Sequence, residues 1–556
     1  MLLSASGLRA QSALDFTPSD GYARLSAVDV LHYDIRVAVP DEGAFIQGRT
    51  GILFEVRDPA LRELPLDFGA LTVDSVTVDG APALFRHQDT RLAVALPELA
   101  RGARAETVIW YHGEPRDGLI LRANRHGHRA VFADNWPDRA RHWFPGIDHP
   151  SDKASVDIRV DAPSAMEVVA NGYPRERTEL GGGRARTRWS TTEELPTYCM
   201  VFGAADFAVQ RTDTVEGAEI SNWVFPEDSA AAAEAFARAP EIVAFFDSLI
   251  GPFPFEKLAY VQSSTQFGGM ENSSAIFYDE KSLAGLGGGA TGSALATSAS
   301  GAPRDTAAAV QDTTLTRLIA HETAHQWFGD AVTEGDWHHL WLSEGFATYL
   351  EVVFIEFHGI QQGAGPAQRA RDMRAYAQKV FADERQAKRP IFDPSEKDLF
   401  ALLNPGNYEK AAWVLHMLRR EVGDRVFFAG LRDYYATYRG GTAWTADFRR
   451  VMEEASGEDL GWFFRQWLER TGHPVLRVER TAAAGGRTQV RIRQVQPGPP
   501  YRFALDLELV WKGGSRRESV AVTGAETEAV FETPERVRSV VVDPDAWLLQ
   551  ETVGTR

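Results

Sequence analysis

The segment Leu318-Ile319-Ala320-His321-Glu322-Thr323-Ala324-His325-Gln326-Trp327-Phe328-Gly329 contains the pattern His-Glu-x-x-His. On a helix, two histidines four residues apart project from one face, so both imidazoles can reach one zinc, and Glu322 then lies beside a water on that metal. Chance produces such a match about twice in a hundred chains of this length, so the motif needs support from its surroundings. Leu318, His321, Glu322 and His325 follow the i, i+3, i+4, i+7 stripe that a helix normally buries. Three polar side chains in such a stripe demand partners. A catalytic zinc takes three protein ligands and keeps a fourth position open. Glu344, separated from His325 by eighteen residues, heads an apolar segment running to Gly359 and is the candidate third ligand. A helix-capping carboxylate is its competing reading. The segment is expected to form a buried helix, although Val352, Val353, Phe354 and Ile355 alone would suit a strand. His338 and His339 read as an exposed polar pair. A third histidine six residues after the second would signal a metzincin, but Ala331 stands there.

The elements that position these residues fall into three regions. Residues 16–206 read as a β domain: Leu31, Tyr33, Ile35, Val37 and Val39 take every second place, as do Val156, Ile158 and Val160. Asp79-Gly80 and Gly181-Gly182-Gly183 mark turns between strands. Residues 207–470 open with Ala-rich helical sequence around Ser229 to Ser248, and helical spacing dominates the remainder of that region. The stretch Leu283 to Pro303, rich in Gly, Ala and Ser, reads as a flexible surface loop. In residues 471–556 alternation returns, with Tyr501, Phe503, Leu505, Leu507, Leu509 and Trp511 on one face, which predicts a small β-sandwich. The fold class is multidomain α+β.

Composition narrows the function classes. The 556 residues include 59 Lys and Arg against 77 Asp and Glu, a formal charge of -18 that repels phosphate backbones and anionic lipid. Nucleic acid is therefore not an expected partner. No run of about eighteen apolar residues exists to span a membrane. Cys199 is the single cysteine, which excludes an internal disulfide or a cysteine-zinc cluster, and its apolar setting reads as a buried structural thiol. Residues 1–15 form a tail with small and apolar residues but no basic start. A remnant export signal fits it, which points to a periplasmic or secreted protein rather than a cytoplasmic one.

Two further segments, together with the zinc motif, carry a resemblance. Gln266-Phe267-Gly268-Gly269-Met270-Glu271-Asn272 is similar to the Gly-x-Met-Glu-Asn exopeptidase signature, and Asn407-Tyr408-Glu409-Lys410-Ala411-Ala412-Trp413-Val414-Leu415 to the catalytic-tyrosine helix, of the aminopeptidase N-like gluzincins, which include leukotriene hydrolase. Trp143-Phe144-Pro145-Gly146-Ile147-Asp148-His149-Pro150 adds to the match, so the resemblance covers nearly the whole chain in one order. It implies a saddle-like N-terminal β-sheet domain, a thermolysin-like, mostly helical catalytic domain and one zinc per chain. It also implies a short form without the large C-terminal helical domain, and a correspondingly open cleft.

The implied activity is aminopeptidase. Zinc held by His321, His325 and Glu344 lowers the pKa of water toward about 7. Glu322 serves as general base and then acid. Tyr408 stabilises the oxyanion, although it also fits a plain aromatic role ahead of the stripe Ala411, Val414, Leu415 and Leu418. Glu271 holds the charged α-amine of a peptide with a free N-terminus. Gly268, Gly269 and Met270 offer backbone to an extended substrate. Where the family carries a Gln-rich amine-binding segment, this chain has Phe132-Ala133-Asp134-Asn135-Trp136-Pro137, so Asp134 or Asn135 is the candidate substitute. Ser343 and Ala411 replace a common Asn and Gly. A non-catalytic peptide binder, an epoxide hydrolase and an endopeptidase are the competing functions, and the last would have no use for Glu271.

Overall fold

The computed structural model describes residues 18–284, 304–361, 363–483 and 487–555. The N-terminal tail, and all of the Gly/Ala/Ser-rich stretch but Leu283 and Ala284, lie outside the described residues. The chain divides into two compact units, one of Pro18–Trp337 with Tyr434–Ala443, the other of His338–Asp433 with Trp444–Arg556.

The first unit is built on β-sheets. Among its described residues, Val28–Ala38 pairs parallel with Lys153–Pro163 and antiparallel with Ile46–Val56, within a nine-stranded sheet. Tyr33, Ile35, Val37 and Val39 are buried, as alternation requires, and so are Val156, Ile158 and Val160. Leu31 is half-exposed instead, because a bulge between Val30 and His32 shifts the register and passes the buried place from Val30 to Tyr33. Asp79 and Gly80 both have positive φ (48° and 79°), the geometry of a two-residue hairpin turn between Thr72–Val78 and Ala81–Pro82.

Residues 208–279 contribute something the helical reading of the middle region did not contain. A five-stranded sheet runs in the order Ala208–Val215, Ala218–Val224, Lys257–Ser263, Ala275–Asp279, Gly269–Met270. Its central strands are parallel, and every residue of Lys257–Ser263 is buried. Such a strand is covered on both faces and shows no alternation to read. The Ala-rich segment forms two helices, Ser229–Ala235 and Ala239–Ile250, the second carrying Pro240 in its first turn where the missing N–H costs nothing.

Helices dominate the second unit. Trp341–Gln361 is helical, so the run Val352 to Ile355 follows its surroundings rather than its own strand propensity. Its residues from Trp341 to Glu356 are all buried. Arg419, on the helix Ala411–Val422, donates to Glu356 at 2.7 Å, while Arg369 on the helix Gly365–Ala382 donates to the same carboxylate at 2.6 Å. The three helices are thus tied by one buried carboxylate, which needs both guanidinium partners to repay its desolvation. At the C-terminal end, a four-stranded sheet (Glu526–Phe531, Thr488–Gln494, Val475–Ala482, Glu551–Thr555) and a three-stranded sheet (Gly514–Val522, Phe503–Trp511, Ser539–Val542) supply the β-sandwich. Tyr501, Phe503, Leu505, Leu507 and Leu509 are buried in it, with Trp511 half-exposed at the strand's end.

Candidate active site

The helix Arg304–His325 ends on the two motif histidines. Tyr260, from the central strand Lys257–Ser263, shares a hydrogen bond of 2.9 Å between its hydroxyl and Thr323 Oγ1, which fixes the last turn against the sheet. Beyond His325 the chain leaves helical geometry, and Trp327 Nε1 donates to Gly251 O at 2.8 Å. Glu322 and His325 are buried, whereas Leu318 and His321 are half-buried, so the polar stripe is less enclosed at its N-terminal end than the pattern alone implied.

The histidine rings are set for a metal. His325 Nδ1 lies 3.2 Å from Phe328 O, an arrangement that places the proton on Nδ1 and leaves Nε2 as a lone-pair donor. His325 Nε2 and His321 Nε2 are 3.2 Å apart. Two nitrogens at about 2.0–2.1 Å from a tetrahedral zinc are separated by about 3.3–3.4 Å, so the pair fits that ion with little adjustment. Zinc is the cofactor suited to this donor set.

Glu322 is held in place by a glycine. An ideal Cβ on Gly269 would lie 2.2 Å from Glu322 Oε1 and 2.3 Å from its Cδ. The carboxylate therefore lies directly against the backbone of the short edge strand Gly269–Met270, which pairs antiparallel with Ala275–Asp279 through Gly269↔Tyr278. Gly268 differs, since a Cβ there meets only Ser282 Oγ at 3.9 Å. Glu271, Glu322 and His325 each bring a donor atom to within 4.8 Å of the others. Met270 is buried.

Gln326, which no sequence pattern singles out, fixes the Glu271 loop. Its Nε2 donates to Glu271 O and to Asp330 Oδ2, both at 2.8 Å, and its Oε1 accepts from Ser274 N at 2.7 Å. Ser274 sits at φ 63°, a left-handed conformation that these bonds help to hold. Only adjacency to His325 hinted at Gln326. Cys199 is fully buried, with its Sγ donating to Asp330 Oδ1 at 3.4 Å. Burial pushes the thiol well above its ordinary pKa, as expected of a structural cysteine.

Asp134 and Asn135 are occupied elsewhere. Asp134 is buried, accepts from Thr265 Oγ1 at 3.2 Å, and pairs with Arg139 at 3.2 Å. Asn135 donates to Thr197 O and Met200 O and accepts from Trp143 Nε1. Asn135 thus cross-links the β domain, while Asp134 ties it to the segment after the strand Lys257–Ser263.

In the second unit, Glu344 stands in the first turn of Trp341–Gln361, and Tyr408 in a π-helical turn, Gly406–Lys410, that leads into Ala411–Val422. The widened turn is closed by Lys410 N bonding to Pro405 O at 2.8 Å. Tyr408 Oη donates to Glu344 Oε1 at 2.6 Å. That bond leans on a close helix contact, because a Cβ on Gly345 would lie 2.6 Å from Ala411 Cβ. His338 and His339 are buried rather than exposed: His338 Nε2 is 2.9 Å from Glu396 O, and His339 Nδ1 is 2.7 Å from Thr445 Oγ1. Each makes a polar contact in the interior, and both serve as core histidines.

Comparison with known proteins adds independent findings. Residues 30–199 match the peptidase M1 N-terminal domain, and residues 235–467 the peptidase family M1 domain. Aminopeptidase 2 of Candida albicans is 24% identical over 84% of this chain and 49% of its own length. Aminopeptidase N of Lactococcus lactis is 29% identical over 61% of this chain and 38% of its own. The chain spans about half the length of the first of these relatives. Among solved structures, the M1 zinc metallopeptidase of Deinococcus radiodurans aligns with TM-score 0.64 at 24% identity, covering 81% of this chain and 95% of that one. Legionella pneumophila aminopeptidase A aligns with TM-score 0.80 at 16% identity, covering 97% and 61%. Two family models in chain order, the zinc-motif helix and the shared fold agree: the chain belongs to peptidase family M1.

Proposed function

We propose that this chain is a zinc aminopeptidase that hydrolyses the first peptide bond of substrates with a free N-terminus. The metal is assigned to His321, His325 and Glu344, the last on the strength of its eighteen-residue spacing and its bond to Tyr408. Bound there, zinc supplies Lewis acidity toward a water and toward the scissile carbonyl. Glu322 takes the proton of the attacking water and delivers it to the departing amine. Tyr408 donates its phenolic proton's hydrogen bond to the oxygen that gains charge. Glu271 pairs with the α-ammonium, and the edge strand Gly269–Met270 has free backbone to which an extended peptide can add. The domain boundaries at residues 206 and 470 belong to the same reading.

One observation carries it: the Glu322 carboxylate lies against Gly269, on the loop that presents Glu271, with His325 beside both. The three side chains read as base, metal donor and amine anchor thus have donor atoms within 4.8 Å of one another. An endopeptidase needs the first two and not the third. Elemental analysis paired with turnover tests the assignment. Wild-type protein should hold one zinc per chain, His321→Ala should lose it, and Glu322→Gln should keep the zinc yet lose hydrolysis of aminoacyl arylamides. Full activity in Glu322→Gln would overturn the role given to that residue.

A further inference from the structure

Residues 167–257 enclose a cavity of about 560 Å³ that shares no wall with His321, Glu322, His325 or Glu271. Its volume is that of a small-molecule site. The indole rings of Trp189 and Trp223 stand 6.1 Å apart in an edge-to-face arrangement and form part of its lining. Tyr173 is exposed among the lining residues, with the Arg175 guanidinium 5.4 Å above its ring.

Lys257 is the buried member of this lining, 5% exposed. Its ammonium lies 5.2 Å from the Trp189 ring centre and donates to Ser274 O at 2.7 Å. Among the described residues no carboxylate comes within 4.0 Å of it, and the nearby acids are engaged. Glu256 accepts from Thr192 N at 2.6 Å, Glu219 pairs with Arg211 at 3.2 Å, Glu167 with Arg177 at 3.8 Å, and Glu176, also in the lining, accepts from Thr178 Oγ1 at 2.5 Å. A buried cation without a counter-ion is costly, and an anion entering the cavity would relieve that cost. The adjoining lining is aromatic, with Trp223 half-exposed and Tyr173 exposed, which favours a ring over an aliphatic chain.

We propose that this cavity binds a small aromatic carboxylate, its anion paired with Lys257 and its ring against Trp189 and Trp223. Nothing in this depends on the aminopeptidase reading. Burial pushes the pKa of the Lys257 ammonium down to about 7, opposed by Glu256, the preceding residue, and by Glu219 on the adjoining strand Ala218–Val224. Arg175, Arg177 and Arg211 are the other cations of the lining. An arriving carboxylate restores the lysine's charge, so binding takes up a proton above pH 7. Affinity then falls by about tenfold per pH unit there, until the pKa of the occupied state is reached.

Calorimetric titration of the zinc-loaded full chain with phenylpropionate, and with the matching neutral amide, tests the site. The acid should bind with affinity that declines above pH 7, and the amide should bind about tenfold more weakly or less. Lys257→Met and Trp223→Ala should each weaken the acid by about tenfold or more, while Glu271→Ala leaves it unchanged. Lys257→Arg, which stays charged, should bind without the pH dependence. No binding by wild type, equal binding of acid and amide, or undiminished binding in both Lys257→Met and Trp223→Ala would overturn the proposal.

Discussion

Replacing Gly269 by alanine separates catalysis from stability. The added Cβ would fall 2.2 Å from Glu322 Oε1, 2.3 Å from Cδ and 2.6 Å from Cγ. Ordinary carbon contacts lie near 3.5–4.0 Å, so the carboxylate must retreat by about 1 Å or more. It can do so cheaply in terms of folding, because the clash is with the far end of a flexible side chain rather than with backbone. Gly269 is also absent from the positive-φ glycines, so alanine meets no backbone strain there. The melting temperature should therefore change little, with a folding cost within about 1 kcal/mol. Turnover should not be spared. A displacement of about 1 Å at a reacting group costs about 10²-fold in rate, or about 2.7 kcal/mol in the barrier. The assay is kcat on a leucyl arylamide, read beside the melting temperature and the zinc content. Gly268→Ala is the control, since its Cβ meets only Ser282 Oγ at 3.9 Å and should leave kcat unchanged. A Gly269→Ala enzyme with wild-type kcat would refute the idea that this glycine positions the base.

Other perturbations address the remaining residues. Tyr408→Phe should lower kcat by about 10²–10³ with KM and zinc content nearly unchanged, as expected of a donor used in the transition state; a change confined to KM would contradict that role. Glu271→Ala should raise KM and lower turnover for free-amine arylamides while leaving N-acetylated peptides as poor as before, and equal losses on both would argue against an amine anchor. Gly345→Ala would place a Cβ 2.6 Å from Ala411 Cβ, forcing two buried helices apart at a cost of about 1–3 kcal/mol. Adding Ala411→Gly should recover much of that loss in melting temperature, and strict additivity of the two changes would show that the residues do not touch. Chelation should abolish turnover and lower the melting temperature, with both restored by zinc, because an ion bound only by the folded state stabilises it.

The chemistry is more legible in the sequence than the scaffold around it. His321 and His325 can be read because four-residue spacing on a helix has a direct geometric meaning, and their Nε2 atoms indeed face each other at 3.2 Å. The N-terminal strands are legible wherever one face is buried, as at Tyr33, Ile35 and Val37, but not at Leu31, where a bulge resets the alternation. Lys257–Ser263 is not recognisable as a strand, because a fully buried parallel strand lacks the periodicity that reveals an exposed one. The partners of buried polar groups are the least legible part. His338 and His339 look like surface residues in a string of letters, and only long-range contacts to Glu396 and Thr445 make them core. The same holds for Asp134, whose partners Arg139 and Thr265 are not legible in the sequence. Gly269 reads as backbone offered to substrate, yet its tightest constraint is the Glu322 side chain, from a segment more than fifty residues away.

Cleavage only next to a free α-amine, by a zinc-dependent centre, is tested by a matched pair of substrates. Zinc-replete protein would be given a panel of aminoacyl arylamides and their N-acetylated counterparts, before and after chelation. The free-amine compounds alone should be hydrolysed, with turnover abolished by chelation and recovered with zinc. Comparable hydrolysis of the acetylated compounds, or turnover that survives chelation, would contradict the aminopeptidase assignment.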